Sequence, residues 1–298
     1  MSLESLLVSG YAEQVPASVD YMTEIGTWPM YANDRLEDCT AAAAGHSEEV
    51  WSTYGQSSLV MVTEQAVIDL YSAGSGYNPA NPSTDQGAVM QDMLDAWRKT
   101  GLGGHRITAF AEIDPQNKVA CKAALYFFGT LYVGINFPKS ADQQFLARQV
   151  WTYDSTADNE ILGGHAIHVG AVSATGNWDC STWGRRQTLT SAWWDAFVEE
   201  AWVPISLEWI KSGVTPVGIK VADANAAYTD LTKQPGPFPV DLPPSTPPSP
   251  PTPVPPATDP DVQLVQRAWP WVTSWHVKNS SADKAAQALK DWRTAKGL

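Results

Sequence analysis

The sequence is short of positive charge. Its 298 residues carry 19 lysines and arginines against 32 aspartates and glutamates, a net charge of −13. A protein that grips nucleic acid by covering phosphates needs a basic footprint, so nucleic acid is excluded as a partner. An anionic membrane surface is disfavoured for the same reason. Cysteine is scarce too. Three residues, an odd count, do not make a disulfide framework. Long apolar runs are missing: the least polar stretch, Ala123 to Ile135, falls short of the ~18 residues that a bilayer span requires. The opening MSLESLLVSGYAEQ lacks the basic and apolar regions of a signal peptide. The expectation is a protein made soluble in the cytoplasm. A later destination reached without a signal, such as a virion, stays open.

Tryptophan and proline are abundant instead, at 14 and 22 residues. Ten prolines lie between Pro243 and Pro260, preceded by Pro235, Pro237 and Pro239. Neither helix nor central strand tolerates that density, which predicts an extended polyproline II spacer or a ligand for a proline-binding module. Three units follow: a main domain over 1–234, a linker over 235–260 and a tail over 261–298. The tail reads as two short helices, with Val262, Leu264, Val265 and Trp269 at helical spacing in the first and Ala285, Leu289 and Trp292 in the second. A unit that small is marginal alone and is expected to dock on a structural protein partner.

Within the main domain, helices are predicted after Asp38, over 63–71, over 85–100, and from Asp114-Pro115 to about Phe128 with Gly129 as its stop. The period then changes. Residues 130–136 and 165–172 alternate as strands. The segment SAWWDAFVEEAW reads as a helix with Trp193, Phe197 and Val198 inward and Trp194 and Asp195 outward. Helices first and strands later predict an α+β fold with an antiparallel sheet.

Cys39 falls at the first position of the helix after Asp38, where unpaired backbone N–H groups favour a thiolate. Cys121 and Cys180 read as packing residues. Of the five histidines, His46 lies two turns along the helix of Cys39, too far to take its proton. His165 opens a strand after Gly163-Gly164, and His168 faces the other side of it. No ligand spacing is apparent, so neither a metal site nor a cofactor is expected.

These residues together resemble the papain-like cysteine protease family, in a divergent form of phage or bacterial type. The resemblance rests on Val15-Pro-Ala-Ser-Val-Asp-Tyr21 followed by Asp38-Cys39, on Thr63-Glu64-Gln65, on Gly129-Thr-Leu-Tyr-Val-Gly-Ile-Asn136, on Gly164-His165-Ala166, and on Ser181-Thr-Trp183-Gly184. All five occur in family order over about residues 15–210. The resemblance implies a helical subdomain whose central helix carries Cys39, facing an antiparallel β subdomain. It implies a Cys39–His165 pair cleaving peptide or isopeptide bonds in a protein or peptide substrate. By position Ser181 would orient the imidazole, Asn33 would supply an oxyanion donor, Trp183 would cover the imidazole contact, and Gly87 would meet substrate backbone. Departures stand beside these. The family has Gln where Asn33 stands and Asn where Ser181 stands, and Glu37 and Asp38 place negative charge next to Cys39. The alternative is therefore a catalytically decayed papain-like fold used for assembly, such as a phage virion component anchored through its tail.

Overall fold

The computed structural model describes residues 15–210, 213–218 and 220–221. The expected linker and tail lie outside the described residues. Six α-helices occur among them: α1 (Cys39–Val50), α2 (Glu64–Ser75), α3 (Met90–Lys99), α4 (Lys118–Phe128), α5 (Lys139–Leu146) and α6 (Ser191–Phe197). The strands are β1 (Val19–Asp20), β2 (Ile107–Ile113), β3 (Leu131–Pro138), β4 (Ile161–Val172), β5 (Trp178–Thr182), β6 (Arg185–Leu189) and β7 (Val198–Ser206). They form one antiparallel sheet in the order β2-β7-β3-β4-β5-β6, with β1 added against β4.

The first helix is central: its first half is small and apolar, and the polar residues His46, Ser47, Glu48 and Glu49 of its second half are buried with it. Every residue from Thr40 to Val50 is buried. Alanines 41–44 let it approach the sheet closely, and it packs mainly on β4. Its start is tied to the sheet by the Tyr132 hydroxyl of β3, which donates to the Thr40 carbonyl at 3.0 Å. The helix continues into one wider turn, Trp51–Gly55. Gly55 is required there because an added Cβ would collide with the Glu208 carbonyl.

The predicted elements form with shifted bounds: the helix expected over 63–71 runs to Ser75, the one expected over 85–100 begins at Met90, and the strand expected over 165–172 begins at Ile161. Thr63 caps α2 by accepting from the Ala66 amide, and Gly129 ends α4 at φ 82°. The α4 helix begins at Lys118 rather than at Pro115. Asn117 takes the cap by accepting from Ala120, while Asp114 closes its own turn with the Gln116 amide. Asp38 precedes α1 without capping it through its side chain. The largest correction concerns SAWWDAFVEEAW. Helix α6 stops at Phe197, and Val198 starts strand β7 between β2 and β3. Trp193, Phe197 and Val198 are buried as expected, but so is Trp194. Its ring stacks on Trp178 at 4.4 Å, and its indole donates to the Pro115 carbonyl at 2.8 Å. That buried donor has a partner, so the helix has no outward tryptophan.

Strand β4 sets up the site. Its first four residues, Ile161–Gly164, are exposed, and burial begins at His165. His165 does not open the strand, which starts at Ile161 and stays paired with β3; it is the first buried residue, opposite Ile135.

Candidate active site

Cys39 and His165 line one cleft of about 890 Å³ between the α1 terminus and the sheet. Gly87, Asn136 and Gly164 line it too. The Cys39 sulfur accepts a hydrogen bond from the Ala166 amide at 3.4 Å, so the nucleophile candidate touches the backbone of the residue after His165. No thiol–imidazole hydrogen bond is present among the described residues.

The imidazole is held by Thr182, whose Oγ1 lies 2.7 Å from His165 Nε2. Ser181, expected in that role, serves the opposite face. Its hydroxyl lies 2.9 Å from Nδ1 of His168, its cross-strand partner. The reason is alternation. His165 and His168 point to opposite faces of β4, and Ser181 and Thr182 to opposite faces of β5. With Ser181 on the His168 side, only Thr182 can meet His165. Sequence reasoning missed Thr182, although the placement of His168 already contained the signal.

Trp183 lies flat on the His165 ring, with centroids 4.1 Å apart and planes 11° apart. Phe137 and Phe145 pack edge-on against it. A two-residue turn aims it there. Trp183 and Gly184 have φ of 43° and 74°, between the paired residues Thr182 and Arg185. Positive φ at both positions marks the mirror-image turns favoured in tight hairpins.

Asn33 departs from expectation. Its amide donates to Asp38 Oδ1 at 3.2 Å and reaches the Leu36 carbonyl at 3.5 Å, and it does not line the cleft. One methylene shorter than Gln, it closes its own loop instead. Gly87 does line the cleft, at φ 75° with open space around its Cα. Its amide donates to the Tyr71 hydroxyl, which in turn donates to Asp85. Asp85 also accepts from the Glu37 amide at 3.1 Å, which joins the two loops at this wall.

The electrostatics favour neutral partners. Burial pushes the Cys39 thiol up to about 12; the Asp38 and Glu37 charges add to this, and the Ala166 and Thr40 amides oppose it. Burial pulls His165 down to about 3. Burial also raises the Asp38 carboxyl to about 8, against the Asn33 amide and Arg35. The resting pair is thus thiol and neutral imidazole. Elsewhere the cleft is acidic. Glu37, Asp85, Glu199 and Glu200 line it, and no lysine or arginine does. Cys121 and Cys180 are fully buried and lie outside it.

No protein-family profile matches the chain, and no curated protein does. Solved structures do match. Xylellain, a cysteine protease from Xylella fastidiosa, shares 13% identity over 65% of this chain and 88% of its own, with a TM-score of 0.52. The bromelain protease from Ananas comosus, at 13% identity, is covered over 100% of its length by 64% of this chain, with a TM-score of 0.48. Digestive procathepsin L 3 of Tenebrio molitor shares 13% identity over 64% of this chain and 70% of its own, with a TM-score of 0.47. These structural neighbours are papain-like cysteine proteases, and the match to xylellain shows the same mixed fold of helices against an antiparallel sheet. At this identity the likeness concerns the fold. No helix among the described residues is long and apolar enough to cross a membrane.

Proposed function

We propose that the chain is a cysteine peptidase or amidase acting through Cys39, His165 and Thr182. The observation that carries this reading is that two independent segments present Cys39 and His165 to one cleft while a third holds the imidazole from behind. Helix α1 presents the thiol, strand β4 the imidazole, and the β5–β6 turn the hydroxyl and the indole cover.

The mechanism requires one tautomer, and the Thr182 contact is compatible with it. A neutral imidazole that uses Nδ1 as base must carry its hydrogen on Nε2, and Thr182 Oγ1 accepts it there. As the Cys39 sulfur attacks a carbonyl carbon, its proton passes to His165 Nδ1. The imidazolium then protonates the leaving amine, and water releases the acyl group from sulfur. The Cys39 N–H opens α1 with no acceptor inside the helix, so it is available to the oxyanion. With Asn33 turned away, the site has one oxyanion donor fewer than the resemblance implies. A missing donor costs ~3 kcal/mol of transition-state stabilisation, so slow turnover is expected.

Substrate preference follows from charge. Four carboxylates around the cleft favour a peptide with lysine or arginine near the scissile bond. The direct test is hydrolysis of basic and acidic fluorogenic peptides by the full chain and by Cys39→Ala. Turnover of basic peptides by the parent alone supports the reading. Equal background in both proteins contradicts it.

A second reading, a papain-like fold kept for assembly without catalysis, is favoured by two observations. Asn33 is committed to Asp38, and burial holds the thiol in its protonated form. The same assay separates the two.

A further inference from the structure

Glu48 lies further along the helix that carries Cys39, on the stretch that turns away from the cleft. His105 and Glu208 meet it there from two other segments. His105 closes the Gly103-Gly104 turn, fixed by reciprocal backbone hydrogen bonds with Leu102 of 2.7 and 3.0 Å. Glu208 sits in the short turn Leu207–Trp209, where its amide donates to Ser206 Oγ.

The donor atoms converge. His105 Nδ1 is 2.5 Å from Glu208 Oε1 and 3.9 Å from Glu48 Oε2. One ligand atom from each of the three lies within 4.8 Å of the others. Glu48 is wholly buried, and neither of its carboxyl oxygens has a hydrogen-bond partner. The Trp97 indole N–H lies beside it and favours its ionised form. A buried carboxylate aimed at a second carboxylate is a costly arrangement unless something positive lies between them.

We propose that Glu48, His105 and Glu208 bind one divalent first-row transition cation of the zinc type. Two carboxylate oxygens and an imidazole nitrogen are a donor set that zinc accepts in tetrahedral form, with a fourth position left for water. Metal–ligand bonds of ~2.1 Å place ligand atoms ~3.4 Å apart, so a small opening of the His105–Glu208 contact admits the ion. The charge of the cation matches that of the two carboxylates with a neutral imidazole. A route in exists, because the Glu208 side chain is 27% exposed. The role is structural. The ion staples the central helix to a glycine turn and to the end of the sheet domain. Chain spacing could not reveal the site, since His105 and Glu208 are 103 positions apart.

The test uses the full chain carrying Cys39→Ala, so that the cleft thiol cannot act as a ligand. Protein stripped with chelator is titrated with Zn²⁺ by calorimetry and with Co²⁺ by visible absorption. One equivalent should bind, raise the Tm, and give d–d bands with Co²⁺. Glu48→Gln should weaken binding by at least ~10-fold and abolish the bands. Glu208→Gln, at the exposed edge, should do the same and decides the matter if the first variant does not fold. Absence of saturable Zn²⁺ binding overturns the proposal, leaving a proton shared between the carboxylates. Binding that keeps its affinity in a folded variant overturns it as well.

Discussion

Ala166 and Cys39, 127 positions apart in the chain, are joined by a hydrogen bond of 3.4 Å from the Ala166 amide to the Cys39 sulfur. The contact fixes the thiol against the strand that carries His165. It also acts against the rise in the thiol's pKa, because an N–H pointed at sulfur favours the thiolate. Burial and the neighbouring acids outweigh it. The site therefore combines a thiol fixed against the strand of His165 with a neutral resting pair, and the predictions turn on that combination.

The first concerns Thr182. Replacing it with Val keeps the volume and removes the acceptor for His165 Nε2. The kcat for peptide hydrolysis should fall ~10- to 100-fold with KM little changed, and Thr182→Ser should restore most of it. Ser181→Ala should leave kcat within about twofold, because Ser181 serves His168.

The second concerns pH. With the thiol near 12 and the imidazole near 3, alkylation of Cys39 by iodoacetamide should be slow at pH 7. It should climb about tenfold per unit through pH 10, following the thiolate fraction. A thiolate–imidazolium pair would instead show a fast plateau from mildly acid pH upward. A plateau below pH 7 would contradict the neutral pair.

Asp38 adds a stability effect whose sign is fixed. Its folded-state carboxyl is raised from 3.8 to about 8, so the folded chain holds this proton more tightly than the unfolded chain. The group destabilises the fold progressively as pH rises from about 4 to 8. Asp38→Asn should give a Tm equal to the parent's at pH 4 and higher at pH 8. It should also speed Cys39 alkylation at pH 8, since a negative charge beside the sulfur is gone. A lower Tm at pH 8 would contradict this account.

The fourth prediction concerns the indole cover. Trp183→Ala uncovers one face of His165. The imidazole pKa, followed by NMR, should rise from about 3 toward its ordinary 6.5 as water reaches the ring. Stability should fall by ~2–4 kcal/mol through loss of packing on Phe137 and Phe145.

The fold and half of the site were legible in the residues. Cys39 at a helix start, His165 after a glycine pair and Trp183-Gly184 at a turn are local signals; Cys39 and His165 line one cleft, and Trp183 stacks on the His165 ring. What failed was decided by side-chain direction. Ser181 and Thr182 differ by one residue, which in a strand is a change of face. Asn33 stands in the expected loop, but its short arm finds Asp38 first. The α6–β7 junction was hidden because AFVEEAWV suits a helix by composition, and only pairing of Val198–Ser206 with β2 and β3 makes it a strand.

The central claim is that Cys39 is a nucleophile served by His165. Covalent labelling of the full chain by an epoxysuccinyl peptide with a basic side chain, read by mass spectrometry of the digested protein, tests it most directly. The account predicts one adduct, on Cys39, that is lost in Cys39→Ser and slowed at least ~100-fold in His165→Ala. A folded protein that takes no label, or takes it on Cys121 or Cys180 instead, would contradict the account.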